Sequence, residues 1–287
     1  MEDIIMGVQI IVDSACDLSK EEAKELNIRV LPLKTYFGET EYLDGVTLSQ
    51  QEFFEKLIES DVLPTTSQVS PYEFEEAYKE AIDAGNEIIC ITVSGKLSGT
   101  NQSAHIAADE YVNQVYVVDS NNVTVGEQLL VKYAARLRDA GLTAQEIVTE
   151  LELKKEKIRV VALLDTLEYL KKGGRVSATA AFAGTLLSIK PVVCVEDGSI
   201  SVLGKARGSK NGNNFLVQYI EKGTGIDFDM PYSLAYSGLS DELLKKYIAD
   251  SNHLYDCDAS ELPVCRIGST IGTHVGPGAI AVGYFEK

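Results

Sequence analysis

The run Ile88-Ile89-Cys90-Ile91-Thr92-Val93, closed by Ser94-Gly95, is the feature that most limits how this chain folds. A strand so nearly continuous in apolar residues is covered on both faces, as central strands of parallel sheets are. The sequence before it agrees. Val8-Gln9-Ile10-Ile11-Val12 reads as a buried first strand ending in Asp13-Ser14, and Ser19 caps a helix over 20–27. Val30-Leu31-Pro32-Leu33 reads as a second short strand, and Glu39 to Asp44 as a turn or hairpin. Ser49 caps a helix reaching Ile58, and Pro71, at the favoured first helical position after Ser70, starts another. A helix over 100–110, a strand over 115–118 and helices near 123–140 and 143–156 follow. Strands alternating with helices at this spacing specify an α/β parallel sheet.

The second half changes character. Arg159 to Leu164 reads as a strand, followed by a helix that ends at Lys171-Lys172-Gly173-Gly174, and 178–188 as a helix of small and apolar residues. Asp197-Gly198 between two β-patterned runs is a two-residue hairpin signal. Helices near 209–222 and 241–251 then alternate with strands near 232–237, 263–267 and 279–285. The expected architecture is an N-terminal, mostly parallel α/β domain over 1–157 and a C-terminal α+β domain with a mixed sheet over 158–287.

Charge narrows the partners. A formal charge of −17 repels nucleic acid and anionic membrane surfaces. Any anion must therefore be held by local donors. The five cysteines, Cys16, Cys90, Cys194, Cys257 and Cys265, are odd in number and form no Cys-x-x-Cys pair, so reduced thiols in a cytoplasmic protein are expected. No apolar run reaches transmembrane length, and no His, Cys and acidic residues stand at metal-ligand spacing. Neither a stable membrane anchor nor a metal is expected.

Two hydroxyl-rich segments draw attention, Pro64-Thr65-Thr66-Ser67-Gln68 and Ser94-Gly95-Lys96-Leu97-Ser98-Gly99-Thr100. Both read as turns opening helices, where hydroxyls and free N–H groups suit a carboxylate or phosphate oxygen. Neither has the spacing of a phosphate loop or a nucleophile elbow. His105 and His253 lie in or after polar helices, whereas His274 falls in Gly272-Thr273-His274-Val275-Gly276-Pro277-Gly278, a glycine-rich loop suited to ligand contact. A helix C-terminus accounts for Lys171, Lys172 and Gly173, but Arg175 lies beyond the cap and is a candidate for an anion or a partner. The all-apolar segment from Ala180 to Ile189, with Phe182 and Leu186, is a packing helix or the wall of a long apolar cavity.

These motifs converge. Val12-Asp13-Ser14, the two hydroxyl-rich segments, Leu167 to Ser177, Lys190-Pro191 and His274-Val275-Gly276-Pro277-Gly278 together resemble the DegV family nearly end to end. Those proteins are bacterial fatty-acid-binding subunits of fatty acid kinase. The resemblance implies a long-chain fatty acid held between the domains, with its carboxylate at Thr66, Ser98 and His274. It implies that Arg175 lies on the surface and docks a separate ATP-dependent kinase, which makes acyl phosphate for phospholipid synthesis. It further implies that the chain catalyses nothing itself and needs no cofactor. Two rival readings come from other classes. A serine hydrolase would use Ser98 as nucleophile and His274 as base, yet no acidic residue stands out to orient the histidine. A nucleotide- or sugar-phosphate-binding regulator lacks the glycine fingerprint.

Overall fold

The computed structural model of the protein describes residues 7–176 and 189–287. The expected helix over 178–188, with Phe182 and Leu186, lies outside them. Chain order in the first half is β1 (Gly7–Asp13), α1 (Lys20–Glu25), β2 (Ile28–Leu31), β3 (Lys34–Phe37), β4 (Thr40–Leu43) and α2 (Gln50–Glu59). It continues with β5 (Thr65–Ser67), α3 (Pro71–Asp83), β6 (Asn86–Thr92), α4 (Thr100–Ala108), β7 (Val115–Asp119), α5 (Val125–Asp139) and α6 (Ala144–Lys154). Then come β8 (Ile158–Leu163), α7 (Glu168–Lys172), β9 (Ile189–Glu196), β10 (Ser199–Arg207) and α8 (Gly208–Lys222). The chain ends with β11 (Tyr232–Tyr236), α9 (Glu242–Ser251), β12 (Val264–Arg266), α10 (Ser269–Val275) and β13 (Ile280–Phe285).

The first sheet runs β2-β1-β6-β7 with every pairing parallel, and β6 sits inside it as its apolar run requires. The second runs β10-β9-β8-β13-β11-β12 and is mixed, its one parallel pairing being β11 with β12. The architecture is thus α/β, with a parallel-sheet N-terminal part and a mixed-sheet C-terminal part. Helix starts follow local chemistry. Ser19, Ser49, Ser70 and Thr143 each form a reciprocal capping box with the glutamate three residues on. Asp197 and Gly198 take φ of 47° and 72°, the two positive values that a tight β9–β10 hairpin needs. One strand is displaced: β2 covers Ile28–Leu31 rather than 30–33, since Pro32 has no N–H for the ladder.

A third, antiparallel sheet, β4-β3-β5, projects from the first half and lies along α10. Helix α5 is the keystone. Ten of its fifteen residues are buried, and it packs on β1 and β6 of one sheet and on β8, β11 and β13 of the other. The main core is accordingly continuous across both halves, from Ile10 and Ile89 through Leu129 to Ala281 and Phe285.

Candidate functional site

The two hydroxyl-rich segments meet. Pro64 to Gln68 does not open a helix, as the sequence reading expected. Thr65–Ser67 is strand β5, with Thr66 paired to Thr35 of β3, and α3 begins only at Pro71. The β-branched threonines and a free edge on β3 favour a ladder over a helix turn. Ser94 to Thr100 does lead into α4. Gly99 lets the segments touch, because a Cβ there would lie 2.0 Å from the Gln68 Oε1 atom. Gln68 in turn donates to Ser103 Oγ of α4 at 2.7 Å.

His274 is likewise not on a loop. It occupies the last turn of α10, and the glycine-rich stretch is loop only from Gly276, whose φ of 71° ends the helix. The glycine at 272 looks like a loop residue, yet it lets α10 pack against Phe53 and Phe54 of α2. The His274 Nε2 atom lies 3.0 Å from Thr66 Oγ1, and its Nδ1 is buried without a hydrogen-bond partner. Nδ1 faces Gly173, where a Cβ would come within 2.2 Å of it. Burial, with the nearby Arg175 guanidinium, lowers the His274 pKa to about 4, so the imidazole is neutral at neutral pH.

Arg175 is only partly exposed. Its Nε donates to the Leu97 carbonyl at 3.0 Å and an Nη to the Gly173 carbonyl at 2.6 Å, which ties α7 to the turn bearing Ser98. Ser98 Oγ lies 2.9 Å from Thr100 Oγ1 and accepts the Thr100 N–H at 3.2 Å. Thr66, Ser98, His274 and Arg175 are therefore gathered at one place, and all four line the same cavity. They do not form the hydrolase arrangement, since His274 bonds Thr66 and Ser98 bonds Thr100.

That cavity runs between the two sheets. It encloses about 870 Å³ free of protein atoms, open solvent at its mouth included. Its walls are mainly Val, Leu, Ile and Ala side chains. Along the mixed sheet it follows successive rungs. Leu164 lies nearest α7, Ala162 stands across from Ala281 and Val193, and Val160 lies furthest along β8. The alanines keep the middle rung open. Val123 and Thr124, just before α5, line the cavity too. The void is apolar along its length, with two hydroxyls, an imidazole and the Arg175 guanidinium gathered at one place on its wall.

Two features escaped the sequence reading. Thr270, one turn before His274 on α10, lines the cavity as well. It would have been found had 269–275 been read as a helix, where residues four apart share a face. The other is a buried acidic clamp on the start of α10. Asp44 accepts from Ser269 N–H and Ser269 Oγ, each at 2.8 Å, from Ser14 Oγ at 3.0 Å and from Thr270 N–H at 3.4 Å. Asp17 accepts from Gly268 N–H at 2.7 Å and Thr124 Oγ1 at 2.6 Å, and burial raises its pKa to about 8. No group of three or more His, Cys, Asp or Glu suited to a metal ion occurs among the described residues. All five cysteines are free thiols, and Cys90 and Cys194 are buried in β6 and β9.

Comparison with known proteins places this geometry. A family model described as "Uncharacterised protein, DegV family" matches residues 7–287. A DegV domain-containing protein of Caldanaerobacter subterraneus subsp. tengcongensis is 35% identical over 287 residues, covering 98% of this chain and 99% of its own. Among solved structures, a DegV family protein from Thermus thermophilus, described for its fatty acid binding, superposes with a TM-score of 0.85. It is 32% identical and covers 98% of this chain and 100% of its own. A stearic acid-binding protein from Eubacterium ventriosum has a TM-score of 0.84 at 26% identity, with 98% of each chain covered.

Proposed function

The chain belongs to the DegV family, and from that premise we propose that it binds a long-chain fatty acid in the cavity between its sheets. The observation that carries this reading is the cavity itself, apolar along its length and gathering Thr66, Ser98 and His274 at one place. A carboxylate taken from water must be met by hydrogen bonds, and two or three charge-assisted ones suffice. Two hydroxyls and an imidazole, with the Arg175 guanidinium nearby, hold the head group, and the acyl chain supplies most of the affinity. Each buried methylene contributes about 0.8 kcal/mol, so a chain of roughly fourteen gains on the order of 11 kcal/mol before ordering costs. Binding of that size overcomes the repulsion of an acidic protein.

The same reading makes the protein a carrier that performs no chemistry of its own and needs no cofactor. The carboxylate lies at the hydroxyl-lined end, where a separate ATP-dependent kinase would convert it to acyl phosphate, with Arg175 facing that partner. None of the described helices is long and apolar enough to cross a membrane.

The test is direct. Protein made in bacteria should carry fatty acid, detected by mass spectrometry of an organic extract. Protein that is lipid-free and also fails to bind added fatty acid would overturn the reading. The carrier role is checked separately. Acyl phosphate should form only when a fatty acid kinase subunit and ATP are added, and Arg175→Ala, assayed with the lipid site saturated, should slow that reaction.

A further inference from the structure

Four hydroxyls line the cavity among the described residues, and three are matched within the protein. Thr66 meets His274, Ser98 meets Thr100, and Thr124 donates to Asp17. The fourth, Thr270, is 4% exposed, and its Oγ1 has no hydrogen-bond partner. A helical threonine usually relieves its hydroxyl on the carbonyl four residues back. Thr273 does so, donating to the Ser269 carbonyl at 2.8 Å. For Thr270 that carbonyl belongs to Arg266, which lies in β12 ahead of the helix and instead accepts from Gln50 Nε2 at 2.7 Å. A buried hydroxyl left unpaired is costly, and a valine would fill the same space without that cost.

We propose that Thr270 is a further head-group residue, whose hydroxyl donates to the carboxylate of the bound fatty acid directly or through one bridging water. This rests on the fatty-acid reading and adds a residue to it. The spacing supports the head group rather than the tail. Thr270 and His274 are four apart on one helix face, with Cβ atoms about 5–6 Å from each other. A carboxylate offers about four lone-pair sites over two oxygens and bridges donors at such a separation. His274 is already engaged with Thr66, so one oxygen can be held there and at Ser98 while the other turns to Thr270. Its hydroxyl is the one cavity hydroxyl with no hydrogen-bond partner among the described residues.

The experiment compares Thr270→Val and Thr270→Ser with the parent, titrating palmitate and methyl palmitate into delipidated protein. Thr270→Val should weaken palmitate about tenfold, the scale of one charge-assisted hydrogen bond, and weaken the uncharged ester far less. Thr270→Ser should bind palmitate as the parent does. Lipid-free Thr270→Val should also unfold at the same or a higher temperature than the parent, because it loses an unpaired hydroxyl and nothing else. Unchanged palmitate binding by Thr270→Val would overturn the proposal and leave the fatty-acid reading standing. Equal losses for acid and ester would also overturn it, since they would place Thr270 against the tail. A parent protein that binds neither lipid would sink both.

Discussion

Two sides of α10 differ in how completely their polar surroundings are satisfied. At the start of the helix, Asp17 and Asp44 accept six hydrogen bonds from Gly268, Ser269, Thr270, Ser14 and Thr124. Nearly every donor there has an acceptor from the N-terminal half, so that end is a structural anchor. On the cavity side of the same helix, Thr270 Oγ1 in the first turn and His274 Nδ1 in the last are buried without partners. Native proteins seldom leave such groups unmet without a reason. One short helix is thus fixed by the backbone donors of its first turn and presents unmet side-chain groups along its cavity face. The contrast separates polar groups that the fold satisfies from polar groups that it leaves unmet.

The contrast is most severely tested at the anchored end. Asp44→Ala would strand buried donors on Ser14, Ser269 and Thr270, and should destabilise the protein by about 3–5 kcal/mol in denaturant unfolding. A loss below about 1 kcal/mol would mean that the clamp is not what positions α10. Next in size is Gly173→Ala. The added methyl would push the imidazole away from Thr66, and should cost about 1–3 kcal/mol of stability together with a tenfold or greater loss of fatty-acid affinity. Intact affinity would show that the Thr66–His274 contact is dispensable.

The acid side of the stability profile sharpens the comparison further. His274 has a folded-state pKa of about 4, below its ordinary 6.5, so the unfolded chain takes up the proton first. Stability from this group is present above pH 6.5 and is lost as pH falls toward 4, by about 2 kcal/mol for a partly accessible ring. Burial lifts Asp13 to about 7 and Asp17 to about 8, and these work in the opposite sense, losing stability as pH rises from 3.8 through those values. The profile of His274→Gln subtracted from that of the parent isolates the histidine. That difference should change between pH 6.5 and 4 and stay flat above. The smallest effect is expected at Glu127, fully buried on α5 with both oxygens unpartnered. Burial raises its pKa well above the usual range and so favours the uncharged acid, and Glu127→Gln should shift stability at pH 7 by under about 1 kcal/mol. A larger cost would mean a charged carboxylate and a partner not yet seen.

Much of the fold was legible in the sequence because its signals are local. The β6 run, the capping serines and the Asp197-Gly198 turn each carry their meaning within a few residues. What was misread depended on distant partners. Thr65–Ser67 became a strand because β3 offers it an edge. Residues 269–275 formed a helix despite Gly272 because that glycine faces Phe53 and Phe54, more than two hundred positions earlier. Candidate site residues were legible as residue types, but their contacts were not. Thr66 meets His274 rather than Ser98, and Arg175 reaches back to Leu97. Thr270 went unseen because a threonine among glycines and small residues carries no signal until the helix is known.

Helix α5 carries a last consequence. By sequence it belongs to the first half, but by packing it belongs to both, as the edge-to-face contact of Tyr133 with Phe285 and the close fit of Val125 on Gly283 illustrate. The halves are therefore not interchangeable modules. A chimaera that joined this N-terminal half to a relative's C-terminal half would have to graft the outward side of α5 along with the borrowed sheet, or the seam between the two sheets would be mismatched.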